Sequence, residues 1–297
     1  MQFPDERNAD ASPLRRVQLI ELRLLKMVDW ICRTHGLRYW LDGGTLLGAI
    51  RHGGFIPWDD DVDIGMPRRD YLRFLEVAPA LLPDDAFVET GAAGSGRHYN
   101  IPCRVRDRHS RIMDTQSEDN AGQGIFIDII PFDHFHEGGL MALTERMAKL
   151  AYRELLKIHQ PTRSAGRIHR FSSRLLSTPI PGVTPELPIR LFSRFCKAAF
   201  VGRTHNSGGC LGYGFDVRWT RIFREMDILP LRMASFEGME FMVPANAHAV
   251  LELFYGSDYM QPPPPSERGA RHFGTVVIDT RLGGRPEMVG WEAAGQL

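Results

Sequence analysis

The sequence predicts a mixed α/β (α+β) chain, a mixed sheet flanked by helices, and three observations predict it. Hydrophobic residues make up 43% and charged residues 24%, with formal net charge zero, proportions that build a real core. Leu14, Val17, Ile20, Leu24, Val28 and Ile31 recur at spacings of three and four, one apolar face of a helix. Asp61-Val62-Asp63-Ile64-Gly65-Met66 alternates charged and apolar residues, and Gly124–Ile130 is apolar except at Asp128; these are the patterns of strands.

The elements follow in chain order. Ser12 is a good cap and Pro13 suits the first position of the first helix, which Gly36 is placed to end. Leu37–Leu41 is a short aromatic strand running into Asp42-Gly43-Gly44. Thr45 can cap a brief helix, Leu46 to Arg51, and 52–58 is a loop. The strand 61–66 is expected to stop at Pro67, with a helix from Asp70 to Leu82. Strands are expected near 87–90, 101–106 and 111–114, and another over 124–130 closed by Pro131. Gly139–Ile158 reads as a helix, and Pro262–Pro265 as a short polyproline segment. The expected divisions are a catalytic core over 12–137, a helical basic region over 138–207, and a C-terminal region over 208–297 that completes the same unit.

Composition excludes several classes. Seventeen Phe, seven Tyr and five Trp with zero net charge exclude a disordered chain. No two of Cys32, Cys103, Cys196 and Cys210 lie within ten residues, so CxxC zinc and redox motifs are excluded and a reducing compartment is expected. The N-terminus lacks the basic and apolar regions of a secretory signal, and no run of 18 apolar residues occurs. A cytoplasmic location is expected. Neutrality hides an asymmetry: Lys149–Arg203 carries eleven Lys/Arg against Glu154 and Glu186, so the remainder is acidic, most densely at Asp59-Asp60-Asp61-Val62-Asp63.

Two strand residues two apart point the same way, which would set the Cβ atoms of Asp61 and Asp63 roughly 6–7 Å apart. One divalent ion can sit between such carboxylates, or two ions can share them. Mg²⁺ takes hard oxygen ligands from one or two carboxylates and lets substrate phosphate supply others. Asp128, alone in an apolar strand, would cost several kcal/mol if buried unpaired. An Arg partner or a metal would meet that cost, and a third carboxylate on a neighbouring strand is what two-metal phosphoryl transfer requires. An EF-hand is excluded, because its Gly and Glu positions hold Ile64 and Asp70. Gly43 and Gly44 lack side chains, so backbone N–H groups there can approach an anion, and a helix N-terminus after Thr45 would face it. Together the parts match a metal-bound nucleotide site.

At this point a family resemblance is visible. The run Tyr39-Trp40-Leu41-Asp42-Gly43-Gly44-Thr45-Leu46-Leu47-Gly48-Ala49-Ile50-Arg51-His52-Gly53-Gly54-Phe55-Ile56-Pro57-Trp58-Asp59-Asp60-Asp61-Val62-Asp63-Ile64 closely resembles the signature of the LicD family. That family includes bacterial phosphocholine transferases, fukutin and the fukutin-related protein. Gly124–Pro131 resembles its third-carboxylate strand, and Leu253–Met260 with Pro262-Pro263 resembles its C-terminal YGDYM-PP motif. Here Ser257 is inserted between Gly256 and Asp258, and Ser266-Glu267-Arg268 stands where Glu-Lys-Arg is common.

The resemblance implies a nucleotidyltransferase-like fold and a Mg²⁺-dependent phosphotransferase, with Mn²⁺ as an alternative ion. The donor would be a CDP-activated alcohol such as choline, ribitol or glycerol. The acceptor would be a hydroxyl of a cell-surface glycan (lipopolysaccharide, capsule or teichoic-acid type), and CMP would leave. Asp61, Asp63 and Asp128 would hold the metal, with Asp128 polarising the attacking hydroxyl. Gly43, Gly44 and Thr45 would cradle phosphate with Arg268, and Arg51 would neutralise CMP or pair with Asp59 or Asp60. Asp59 and Asp60 read as loop-stabilising, His52 and His134 as structural, and Trp40, Phe55 and Trp58 as core. The alternative chemistry moves NMP from an NTP to a small molecule and releases pyrophosphate; a non-catalytic glycan- or metal-binding module is the third reading. The basic region reads as a solvated helical face or as a surface for an anionic, lipid-linked acceptor at the inner face of the membrane. Balanced charge and the lack of a recognised motif argue against nucleic acid.

Overall fold

A computed structural model describes residues 3–7, 11–90, 103–115, 123–159, 191–192, 194–195, 197–201, 209–269, 273–278 and 287–290. The chain divides into two compact units, one drawing on Met1–Thr90, Cys103–Ile130 and Met226–Leu297, the other on Gly91–Pro102 and Pro131–Glu225.

The first unit opens with α1 (Pro13–His35). Ser12 accepts from the Arg15 N–H, and Gly36, at φ +62°, ends the helix by donating to Arg33 and Cys32 carbonyls, as its sequence signals require. Val17, Ile20, Leu24, Val28 and Ile31 are at most 1% exposed, so the three-and-four spacing marks the buried face. The sheet of this unit runs β1-β2-β6-β4-β3: β1 (Trp40–Leu41), β2 (Asp63–Pro67), β3 (Ala86–Thr90), β4 (Cys103–Asp107) and the start of β6 (Phe126–Phe135). Trp40 lies opposite Gly65; a Cβ there would meet the indole at 2.5 Å, so only glycine admits the ring. Helices α2 (Gly43–His52), α3 (Arg68–Leu81) and, late in the chain, α6 (Ala247–Tyr255) belong to this unit. A three-stranded sheet, β12-β11-β5, joins β5 (Ser110–Thr115) to β11 (Phe273–Ile278) and β12 (Glu287–Gly290). Val17 and Ile20 of α1 share a core with Ile112, Ile125, Phe126, Val276 and Ile278. Strands β9 (Arg232–Phe236) and β10 (Met239–Val243) form an antiparallel hairpin.

In the second unit, Phe132–Phe135 of β6 pairs with β7 (Cys210–Tyr213), and β7 with β8 (Ile222–Arg224). Phe135, Cys210 and Phe215 form its core with Ala148 of α4 (Gly139–His159) and with Phe192, Phe200 and Ile222. The short α5 (Glu225–Ile228) follows β8. Among the described residues no helix is long and apolar enough to cross a membrane. Cys32, Cys103 and Cys210 are free and buried; Cys196 lies outside the described residues.

Helices and a mixed sheet were the expected fold class, and the structure has them. Several boundaries differ, for physical reasons. The expected strand over 37–41 keeps only Trp40–Leu41. The strand expected from Asp61 begins at Asp63; it is preceded by a turn over Ile56–Asp59, closed by the Asp59 N–H on the Ile56 carbonyl at 2.9 Å. Strand β6 continues through Pro131 to Phe135. Proline costs nothing there: β6 pairs with β4 through Phe126–Asp128 and with β7 from Phe132, so the missing N–H falls where the strand changes partner. Lys149, expected on a basic surface, is buried and donates to the carbonyls of Gly214 and Val217. Arg163, Arg167, Arg170, Arg174, Arg190 and Arg203 lie outside the described residues.

Candidate active site

The acidic site is assembled by α2, the loop before β2, and β6. Thr45 does not cap α2, which already starts at Gly43. Its hydroxyl accepts instead from the Asp63 N–H at 2.9 Å, while the Asp42 N–H donates to the Asp63 carbonyl at 3.0 Å. The start of α2 thereby grips the backbone of Asp63 on both sides. The two glycines explain themselves by the same contacts. Gly43 has φ +50°, and a Cβ on Gly44 would sit 2.9 Å from Asp59 Oδ2, closer than a side chain tolerates. Gly43, Gly44 and Thr45, expected at phosphate, therefore also make room for carboxylates and hold them.

Asp59, Asp60 and Asp61 each place a carboxylate oxygen within 4.8 Å of the others. Asp60 is fully buried. Gln18 of α1 pins this loop, donating to the carbonyls of Asp59 at 2.9 Å and Ile56 at 3.4 Å. Burial, then the charges of Asp59 and Asp60, a hydrogen bond with Asp59, and the charge of Asp128 push the Asp61 carboxyl well above the usual carboxylate range. Asp128 arrives from β6, its N–H donating to the carbonyl of Val62 at 2.9 Å. Val62 lies between Asp61 and Asp63, so this backbone bond ties the strand of Asp128 to the acidic segment; among the described residues the carboxylates within 4.8 Å of one another are those of Asp59, Asp60 and Asp61, two of which read as loop-stabilising in the sequence. Asp128 also accepts from Arg104 Nε at 2.7 Å, and that guanidinium lies 4.1 Å from the centre of the Phe126 ring. The simple pairing of a strand Asp with an Arg thus coexists with its place beside Asp61.

Cations and aromatics reach the site from the C-terminal segment. Arg51 donates to the Tyr259 carbonyl at 2.8 Å. Burial holds the Arg51 guanidinium below its usual range and the charge of Arg268 adds to this, while Tyr255 and Asp59 oppose it. Arg268 stacks on Trp58 at 4.7 Å and donates to the Pro263 carbonyl at 2.8 Å. Trp58 is thus a half-buried platform, whereas Trp40 and Phe55 are core as expected. His52 meets the Trp58 ring edge-on; burial and Arg51 push its imidazole down. His134, in the second unit, lies 3.8 Å from Glu225.

Two site residues escaped the sequence reading. Tyr255 feels Asp42, Asp59, Asp63 and Asp61, and burial followed by these charges pushes its phenol up. It lay inside the quoted C-terminal motif without a role. Glu21 of α1 is fully buried, with both carboxylate oxygens unsatisfied, and burial with the charges of Asp61, Asp60, Asp59 and Asp63 pushes its carboxyl far up. Its signal was available: Gln18 and Glu21, three apart, interrupt the buried side of an amphipathic helix.

The donor set is all hard oxygen: Asp59, Asp60 and Asp61 crowd together with Asp60 fully buried, and their charges reach the orphaned carboxylate oxygens of Glu21. These residues fit one or more divalent cations of the Mg²⁺ or Mn²⁺ class.

Comparisons with known proteins find relatives of this chain. The LicD/FKTN/FKRP nucleotidyltransferase domain pattern matches residues 36–155. The lipopolysaccharide cholinephosphotransferase LicD of Haemophilus influenzae is 28% identical over 276 residues, covering 89% of this chain and 98% of that protein. The human ribitol 5-phosphate transferase FKRP is 66% identical over 45 residues, 15% of this chain and 9% of that protein. The mouse ribitol-5-phosphate transferase FKTN is 25% identical over 190 residues, 60% of this chain and 37% of that protein.

Proposed function

The chain belongs to the LicD family, and from that premise we propose that this phosphotransferase moves a phospho-alcohol from a CDP-linked donor to a glycan hydroxyl and releases CMP. The observation that supports the reading is the crowding of Asp59, Asp60 and Asp61 within 4.8 Å of one another, with the charge of Asp128 bearing on Asp61. A relative matched almost end to end is named for transferring cholinephosphate to lipopolysaccharide, and others are named for ribitol phosphate. These names support a small phosphorylated alcohol as cargo and a glycan as acceptor.

In the reaction, the acceptor oxygen bonds to the phosphorus that bears the alcohol. The bond from that phosphorus to the bridging oxygen breaks, and CMP carries the electron pair away. Divalent cations, when bound, neutralise charge on the donor diphosphate. Asp61 and Asp63 hold and orient them. Asp128 takes the proton of the attacking hydroxyl. Arg51 and Arg268, brought near each other beside Trp58, offset the charge that accumulates on CMP. Gly43 and Gly44 leave the approach to the α2 N-terminus free of side chains.

The test is a panel of CDP-alcohols with Mg²⁺, scored by CMP release. A matched donor should release CMP only when the metal is supplied, and Asp63→Asn should lower turnover by about 10³ while keeping the fold. Pyrophosphate released from an NTP, with no CMP from any donor, would favour nucleotidyl transfer instead.

A further inference from the structure

Glu21 stands one helical turn from Gln18, and residues three apart share a helix face. Gln18 holds the carbonyls of Ile56 and Asp59, so this face of α1 lies beneath the loop that carries the aspartates. Glu21 is fully buried, and neither carboxylate oxygen has a hydrogen-bond partner. The strongest charges bearing on it are those of Asp61, Asp60, Asp59 and Asp63. Packing alone does not ask for an acid here: its neighbours Val17, Ile20, Leu24 and Leu25 are buried and apolar. An ionised carboxylate enclosed among other carboxylates costs several kcal/mol unless a cation meets it.

We propose that Glu21 is itself a ligand of the cation site, a carboxylate supplied by α1 from beneath the loop Asp59–Asp61. The inference rests on the cation reading of the aspartates above and extends it. The inner side of the loop becomes part of the site, and α1 becomes a metal-bearing helix as well as a core helix. Its cation is a hard divalent ion, Mg²⁺ in function and Mn²⁺ as a probe.

The test is Mn²⁺ titration of the full chain without donor or acceptor, read by electron paramagnetic resonance and by melting temperature. The wild-type protein should bind Mn²⁺ and melt higher with it. Glu21→Gln should bind Mn²⁺ at least tenfold more weakly, yet its metal-free melting temperature should stay within about 2 °C of the wild type, since a carboxyl group that burial keeps protonated is replaced by a neutral amide of the same shape. Wild-type binding with Glu21→Gln affinity unchanged within twofold would overturn the role of Glu21 and leave the aspartate site standing. No wild-type Mn²⁺ uptake would sink the cation reading and this inference together. Should Glu21→Gln fail to fold, Glu21→Asp withdraws the carboxylate by one methylene: affinity at least threefold weaker supports the role, and unchanged affinity overturns it.

Discussion

Asp128 answers to two partners, a buried guanidinium and a backbone carbonyl. Its carboxylate pairs with buried Arg104 while its backbone fixes Val62. Removing the charge takes this ion pair from a guanidinium that is only 10% exposed. Asp128→Asn should therefore lose turnover and also about 3 kcal/mol of stability. Asp63→Asn, at a half-exposed position, should lose turnover with its melting temperature nearly kept; equal melting shifts in the two would contradict the distinction. Gly44→Ala probes the same site sterically. Its new Cβ meets Asp59 Oδ2, the free end of a side chain, so the fold should survive with about 1 kcal/mol lost. Asp59 must move, and Mn²⁺ affinity should fall several-fold. At this scale the sequence was informative about three carboxylates, because Asp61, Asp63 and Asp128 break strand patterns where a charge needs a reason. Tyr255 carried no such signal and Glu21 a weak one, because a Glu on an amphipathic helix ordinarily faces water and its burial depends on a loop 35 residues away.

A two-residue turn shows how elements reach the site. Phe236 lies opposite Met239, and the turn residues Glu237 and Gly238 have φ of +54° and +74°, the geometry of a tight hairpin. Glutamate pays conformationally for that position, and its contacts explain why it is there. Its N–H donates to the Gly53 carbonyl at 2.9 Å, and its carboxylate accepts from the Phe55 N–H at 3.0 Å and from Arg15 at 2.6 Å. The hairpin thus clamps the loop that leads to Trp58 and Asp59. Burial pushes the Glu237 carboxyl up, but the hydrogen bonds from Arg15 and Phe55 outweigh it and hold it below its ordinary 4.5. A depressed folded pKa gives stability that is fully present above pH 4.5 and lost as pH falls through the folded value. Glu237→Gln should lower the melting temperature by about 2–4 °C at pH 7, and the gap to wild type should close in acid. A gap that widens in acid would contradict the clamp. Element legibility follows locality. Helix α1 was readable to its caps because Ser12, Pro13 and Gly36 act within a few residues. The hairpin was not, since Glu-Gly is not a usual pair for such a turn, and the passage of β6 through Pro131 depends on two partners distant in sequence.

Charge is sorted along the whole chain, and the sorting bears on where the enzyme meets its acceptor. The acidic cluster belongs to the first unit, while the run from Lys149 to Arg203 holds eleven Lys/Arg against two Glu. The described part of that region refines the picture. Lys149 is an internal donor to backbone carbonyls, so the useful cations must come from other positions. Helix α4 exposes Leu140, Leu143 and Met147, at 78%, 57% and 58%. Apolar side chains on a helix that runs into a basic stretch of sequence would suit the face of an anionic leaflet, where each Lys or Arg contributes about 1 kcal/mol and salt screens the attraction. A lipid-linked glycan would present its hydroxyl at that face. Reversing Arg163, Arg167, Arg170 and Arg174 to Glu should therefore cut co-sedimentation with phosphatidylserine vesicles at least tenfold at low salt. It should also raise KM for a membrane-bound acceptor while leaving release of CMP to water unchanged, because the carboxylates proposed for the cation and donor belong to the other unit. Vesicle binding that persists in the reversed protein at low salt would remove the basic stretch from acceptor recognition and leave it as a solvated surface.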